Sequence, residues 1–469
     1  MKIFLYSLFF FLHFLVSVAQ ESQPNIIWLV CEDQSPDFFP MYGDDTVSLP
    51  HIEALAEDSV IYNNMHATTP VCAPARSAII TGMYPTTLGT HNMRAFNEGR
   101  STNQPSLGIP SYSPAFPKHI RPFTTYLRES GYYCTNSNKQ DYNFKISEDA
   151  WDQTCRYCKG VEKDDIHWRN RGEGQAFFAV FNFQITHEAQ IWHQQDKPLH
   201  VNPVDIEVPP YFPDDAVIRK DMAVNYSNLV RMDGEVGAII KELKASGLYD
   251  DSYIFFYSDH GGPFPRHKRA IYNTGTKVPF MIKLPKSKNS GKTVDELLSF
   301  IDLAPTVLSI AQLPIPEHIQ GVNILNNRRK QRDYLVTASD RFDEQVDRIR
   351  AIQTKRYKLI KNFVPLKPHA IPVGYRENMP MMQQLNKLYA SKSLNSVQEQ
   401  WFSNPKASLE FYDLKNDPFE LNNLAGESKH NKTLMEMHNA LKEWIRDTKD
   451  LGALSESSLI KKSIQADGS

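Results

Sequence analysis

Cys72 is the first residue with reactive chemistry in a suggestive setting. It lies in Val71-Cys72-Ala73-Pro74-Ala75-Arg76-Ser77, followed by Ala78-Ile79-Ile80-Thr81-Gly82. The segment reads as a turn entering a short apolar helix that stops at a glycine. Pro74 fits just ahead of the helix, where a missing N–H costs nothing. Cys72 then stands at a helix N-terminus beside Arg76, a positive setting that activates a thiol or holds an anion. Polar groups also end three apolar runs: Glu32-Asp33 after 25–31, His187 after 176–183, and Asp259-His260 after 253–258. Carboxylates at such positions are expensive to bury without a cation. A hard, oxygen-liganded metal such as calcium or magnesium would offset that cost. Lys139 lies in a loop, and His267 and Lys268 lie in a basic one. Their charges suit an anion such as sulfate.

The three apolar runs are continuous and carry β-branched residues, as strands buried on both faces do. In open α/β sheets, ligands gather at the carboxyl ends of such strands. Residues 49–56 read as an amphipathic helix with Pro50 in its first turn, 123–130 as a helix ended by Gly131, and 219–246 as a long helix stopped by Gly247. Residues 279–284 read as a further strand, a helix opens near Asp302, and 97–122 read as a long loop. Strands alternating with helices predict an α/β domain with a largely parallel sheet. Beyond residue 345 the texture changes. Short alternating strands at 350–354, 357–360 and 409–414, with a helix at 432–448, predict a small antiparallel α+β unit. The expected division is a catalytic domain at 20–345 and a C-terminal subdomain at 346–469.

The chain has 469 residues, 41% apolar and 23% charged, with a net charge of −2. That balance excludes the strongly basic class of nucleic-acid binders. Thirty prolines indicate long, structured loops. Residues 1–19 read as a signal peptide: Lys2 precedes an apolar run, and Ser17 and Ala19 provide small residues before a cut ahead of Gln20. No later run is long and apolar enough to span a bilayer. A periplasmic or secreted protein without a membrane anchor is expected. Of five cysteines, Cys155 and Cys158 form a C-x-x-C. In an exported protein a disulfide comes first, half of a zinc site second and a redox motif last. The pairing of Cys31 and Cys134 is open.

The motifs together resemble the type I, formylglycine-dependent sulfatases. Cys72-x-Pro74-x-Arg76 carries the resemblance, followed by Thr81-Gly82-Met83-Tyr84-Pro85. Pro24-Asn25-Ile26-Ile27, Tyr257-Ser258-Asp259-His260-Gly261 and the interval from Lys268 to Tyr272 extend it, as does Tyr412-Asp413-Leu414-Lys415-Asn416-Asp417-Pro418-Phe419-Glu420 with Asn423-Leu424. The acidic pair with Asn182-Phe183 and Thr186-His187 is similar to the polysaccharide-sulfatase and heparan N-sulfatase-like branch.

The resemblance implies an alkaline-phosphatase-like fold, with helices on both sides of a mostly parallel sheet. It implies that a maturation enzyme oxidises Cys72 to formylglycine, whose hydrate attacks sulfur. Glu32, Asp33, Asp259, His260 and residue 72 would hold one calcium ion. Arg76 would position the hydrate, Lys139 and Lys268 would bind sulfate, and His187 would protonate the leaving alcohol. A diol suits this chemistry, because a hemiacetal sulfate expels sulfate by C–O cleavage, whereas a serine ester needs a second attack on sulfur. The chain departs from the family pattern at Glu32, where aspartate is usual, and at Asp141, where histidine is frequent. His91 or His267 could compensate, or Asp141 could serve substrate recognition. The implied function is an exported sulfatase acting on a sulfated polysaccharide or its oligosaccharides, with an algal polymer such as ulvan as one candidate. A phosphatase or phosphonate hydrolase of the same superfamily and a non-catalytic binder of sulfated glycans are the alternatives.

Overall fold

The apolar run at 26–31 becomes the central strand, Ile26–Cys31, with every residue buried. It pairs in parallel with Phe177–Phe183 on one side and Tyr253–Ser258 on the other. These coordinates are a computed structural model that describes residues 23–96, 102–104, 107–155 and 165–467. The expected signal peptide and Cys158 lie outside the described residues.

Eight strands form the main sheet. Their order is Thr293–Val294, Val60–Tyr62, Phe280–Lys283, Tyr253–Ser258, Ile26–Cys31, Phe177–Phe183, Tyr133–Ser137 and Gln153–Thr154. Phe280–Lys283 runs antiparallel to both its neighbours, and the other pairings are parallel. Side chains alternate across the sheet as the pleat requires. Ile27, Leu29 and Cys31 face a core shared with helices Pro50–Glu57 and Ala216–Ala245. Ile26, Trp28 and Val30 face the opposite core, with helices Phe123–Glu129 and Leu303–Ile310 and with Ile79 and Ile80. Each fully buried Ile or Leu contributes roughly 1.5–3 kcal/mol. The sandwich of helices around a mostly parallel sheet is therefore what the two-sided apolar strands demand.

The helix carrying Cys72 spans Cys72–Thr81, so it begins two residues earlier than the position of Pro74 suggests. Pro74 is tolerated there because the first N–H groups of a helix have no partner within it. Gly82 ends the helix at φ 67, and a Cβ there would meet Ile319 at 2.9 Å. Both facts require glycine at this position.

The C-terminal sheet has four antiparallel strands: Leu335–Ser339, Ile349–Gln353, Tyr357–Asn362 and Leu409–Asp413. Its first strand lies ahead of residue 346. Leu434, Met437, Leu441 and Trp444 of helix Asn431–Asp447 cover it at helical spacing, against Val336, Ile352, Leu359 and Phe411. Helix Pro380–Ala390, which the sequence reading did not anticipate, docks on Ala216–Ala245, and the Met381 N–H donates to Asp221.

Buried Arg350 ties this unit together. It reaches Asp340 at 3.0 and 3.1 Å and Asp450 at 2.6 and 2.9 Å. Replacing it by Met would strand both carboxylates. We expect Arg350→Met to cost roughly 3–5 kcal/mol, read as a lower urea midpoint.

Cys155 is disulfide-bonded, and Cys31, Cys72 and Cys134 are free and buried. Among the described residues, no helix is long and apolar enough to cross a membrane.

Candidate active site

Register brings the chemistry together. Cys31 lies opposite Phe183 on one neighbouring strand and Ser258 on the other. Residues 32–33, 184–188 and 259–260 therefore leave the sheet at one level. The Cys72 helix starts above this edge and aims its N-terminus at it.

Cys72 is fully buried. Its Sγ lies 3.3 Å from His260 Nε2 and 3.9 Å from Asp33 Oδ1. His260 Nε2 is 2.9 Å from Asp33 Oδ1 and 3.8 Å from Asp259 Oδ1. Asp33, Cys72, Asp259 and His260 thus each offer a donor atom within 4.8 Å of the others. Asp33 adopts φ 54, uncommon for a residue with a Cβ. Its N–H donates to Asp259 Oδ1, and its Oδ2 accepts from the Glu188 N–H at 2.7 Å. The turn is held because both of its ends serve this centre.

The cations form a second ring. Arg76 Nε donates to Asp259 Oδ2 at 3.0 Å and Nη1 to Asn182 Oδ1 at 2.7 Å. Lys139 Nζ donates to Glu32 Oε2 at 2.8 Å, and Arg76 Nη2 stands 3.7 Å from Glu32 Oε1. Lys268 Nζ donates to Asp33 Oδ2 at 2.6 Å, with Glu188 Oε1 at 3.1 Å and His187 Nε2 at 3.2 Å. Arg269 closes the ring with a bidentate pair to Glu188 at 2.8 and 2.9 Å.

Burial and charge set the protonation states. Burial alone would raise the Asp33 and Asp259 carboxyls. Lys268 with His187 and His260 together outweigh it at Asp33, and Arg76 with His260 and Lys139 at Asp259, so both lie below the usual range. Burial alone would lower His260, but Asp259 and Asp33 push it up to about 10. A protonated imidazole therefore offsets the charge of the two carboxylates. Burial, then the charge of Lys268, lowers His187 to about 3, so its ring is neutral. Burial also raises Glu32, against the opposing pull of Lys139 and Arg76.

The sequence-predicted residues Glu32, Asp33, Cys72, Arg76, Lys139, His187, Asp259, His260 and Lys268 meet at this edge. Glu32 faces Lys139 and Arg76 rather than joining the four-residue cluster. Asp141 is buried, with Oδ2 3.9 Å from Lys139 and 3.8 Å from Arg94. His91 and His267 stand elsewhere. His91 is buried near Asp340, Arg350 and Asp450. His267 stacks between Phe38 and Phe212, meets the Tyr211 hydroxyl at 3.0 Å and lines a separate cavity of about 340 Å³. Three contributors escaped the residue-by-residue reading. Asn182, a polar residue inside an apolar strand, offered a signal. Glu188 and Arg269 offered only adjacency to His187 and Lys268.

Known proteins resemble this chain over most of its length. The sulfatase family model matches residues 24–313, and the model for the C-terminal part of N-sulphoglucosamine sulphohydrolase matches residues 264–403. An ulvan-active sulfatase of Formosa agariphila is 38% identical, over 94% of this chain and 78% of that protein. Human N-sulphoglucosamine sulphohydrolase is 24% identical, over 87% of each chain. A solved structure of a 2-O GAG sulfatase superposes with a TM-score of 0.67 at 17% identity, covering 91% of this chain and 93% of that one. At that identity the likeness is one of fold. With the Cys72 centre in view, these matches establish that the chain belongs to the type I sulfatase family, in the branch of polysaccharide sulfatases and heparan N-sulfatases, as a sulfuric ester hydrolase.

Proposed function

We propose that this protein is an exported sulfatase that removes sulfate from a sulfated polysaccharide or its oligosaccharides, with ulvan as the leading polymer. One observation carries the reading: Cys72 begins a helix inside a buried ring of Asp33, Asp259, His260, Arg76, Lys139 and Lys268. The ulvan-active relative supports the choice of polymer.

Residue 72 is read as a precursor that a formylglycine-generating enzyme matures, and its hydrated aldehyde supplies the oxygen that attacks sulfur. The thiol sulfur marks the place of that oxygen. The residues around it fit a hard divalent cation. Asp33 and Asp259 bring carboxylate oxygens, and His260 would bring a nitrogen once the ion displaces its proton, all within 4.8 Å of the Cys72 atom. Among the described residues, the buried Glu32 Oε1 and Arg76 Nη2 find no hydrogen-bond partner. The carboxylate oxygen calls for a cation and the guanidinium N–H for an anionic oxygen such as that of sulfate, partners that the protein alone does not supply. Asp33, Asp259, His260 and residue 72, with Glu32 beside them, would hold calcium, which supplies Lewis acidity to nucleophile and sulfate oxygens when bound.

The chain's own groups do the rest. Arg76, fixed by Asp259 and Asn182, positions the oxygen on residue 72 and offsets its charge. Lys139 and Lys268 hold the sulfate oxygens and stabilise charge that develops on them. His187 stands on the leaving-group side. Its neutral ring faces the Lys268 ammonium, and a bound sulfate ester adds the negative charge that raises its proton affinity. The ring then takes up a proton when the ester binds and passes it to the departing alcohol oxygen. Residues 1–19 direct export, so the mature enzyme works outside the cytoplasm.

Sulfate release from ulvan oligosaccharides, measured beside phosphate release from an aryl phosphate, tests this function. The expected result is sulfate release that a chelator abolishes and calcium restores, with phosphate release at least about a hundredfold lower in kcat/KM. Preferential phosphate release, with no sulfate from any sulfated glycan, would overturn the reading.

A further inference from the structure

The ring around Cys72 is closed on most sides. Lys268 is 1% exposed, whereas the His187 side chain is 15% exposed. With Arg76 at 7% and Lys139 at 4%, His187 is the most exposed of these groups and marks the open side, where a leaving alcohol must sit if His187 protonates it.

Tyr375 stands at that opening. It is 40% exposed, and its ring centroid lies 6.3 Å from that of His187. Trp192 meets it edge-on at 5.3 Å and 74°. Trp192 belongs to helix Ala189–His193, which begins two residues after His187, so one side of the wall is built from the same segment as the proton donor. The other side is anchored. Arg376, next to Tyr375, is buried, lies 5.0 Å from the Trp401 ring and donates to the Ile371 carbonyl. The Gly374 N–H donates to Glu344 at 2.6 Å. An exposed aromatic ring on a fixed backbone is pre-organised for contact. Burial raises the Tyr375 hydroxyl, and the charges that bear on it next are Lys268, Glu188, Arg94 and Asp33.

We propose that Tyr375 and Trp192 form the subsite for the sugar that bears the scissile sulfate, Tyr375 covering the C–H face of the ring beside His187. This subsite rests on the sulfatase reading of His187. The ligand class follows from the chemistry: a pyranose presents an apolar face and a rim of hydroxyls, and Tyr375 presents an apolar face and one hydroxyl. The contact supplies binding and orientation and makes no bond.

Two measurements separate the subsite from the wider function. In Cys72→Ala protein, titration calorimetry with ulvan oligosaccharides reads binding without turnover. Adding Tyr375→Ala is expected to weaken binding by about tenfold, and Tyr375→Phe to recover most of it. In matured enzyme, Tyr375→Ala should lower kcat/KM on the oligosaccharides, chiefly through KM, by about tenfold more than on ethyl sulfate, which has no ring. Absence of binding, binding indifferent to Tyr375, or equal losses on both substrates would overturn the subsite. Tyr375-dependent binding without sulfate release by matured wild-type enzyme would instead uphold the subsite and overturn the catalytic reading.

Discussion

Cys72→Ala protein is expected to fold as the parent does and to release sulfate on the order of 10⁴–10⁶-fold more slowly. The substitution removes one sulfur atom from a buried site and leaves every ion pair of the ring in place. Stability should change little, because the thiol's contacts with His260 and Asp33 are weak and both residues keep stronger partners. Activity should fall far, because the remaining groups bind and polarise sulfate but offer it no nucleophile. Cys72→Ser sharpens the test. A serine hydroxyl can take one sulfate from substrate but cannot expel it by C–O cleavage, so an unmodified serine enzyme should stop after one turnover. Denaturation curves and single-turnover sulfate release read the two properties separately.

Lys268→Met is expected to lower kcat/KM by about 10²–10³-fold, the usual cost of losing one pre-organised partner of a developing anion. Lys268 is buried between Asp33, Glu188 and His187. Its charge is the second cause, after burial, that holds His187 at about 3. Removing a neighbouring cation favours the protonated ring, so the His187 limb of the pH–rate profile should move upward. Stability responds as well. Lys268 is the main influence offsetting burial at Asp33, and at Glu188 it stands second to Arg269. Carboxyls lowered in the folded state add stability above their unfolded range, about pH 4, and lose it as pH falls through the folded value. With Lys268 gone, that lowering shrinks, and so does the stability it provides above pH 4. We expect a loss of roughly 3–5 kcal/mol in metal-free protein at neutral pH, read by denaturant titration. An unchanged His187 limb in a folded variant would show that the lysine and the imidazole are not coupled.

Much of this centre was legible in sequence because one rule places it. An apolar strand buried on both faces can only end in charge where something satisfies that charge. Glu32-Asp33, His187 and Asp259-His260 each follow such a strand, and parallel pairing delivers them to one edge. Glu32, Arg76, Lys139 and Lys268 meet there too. The side on which a group faces was harder to read. Glu32 turns to Lys139 and Arg76, a choice set by cations more than forty residues away in the chain. His91 and His267 follow no such strand, so nothing local fixes where they face. Their places follow from Asp340, Arg350 and Asp450 in one case and from Phe38, Tyr211 and Phe212 in the other. Pro74 misled by two residues, since a helix tolerates proline throughout its first turn. Strand Leu335–Ser339 lies ahead of the change in texture that suggested a boundary at 346. Tyr375 comes from a turn with no regular pattern, and only the fold sets it beside His187.

Mass spectrometry of the peptide containing residue 72, taken from enzyme of known specific activity, tests the central claim most directly. Residue 72 should be formylglycine, lighter than cysteine by the loss of its sulfur, and activity should rise in proportion to the formylglycine fraction across preparations. Full activity from protein that carries only the unmodified Cys72 thiol would contradict it.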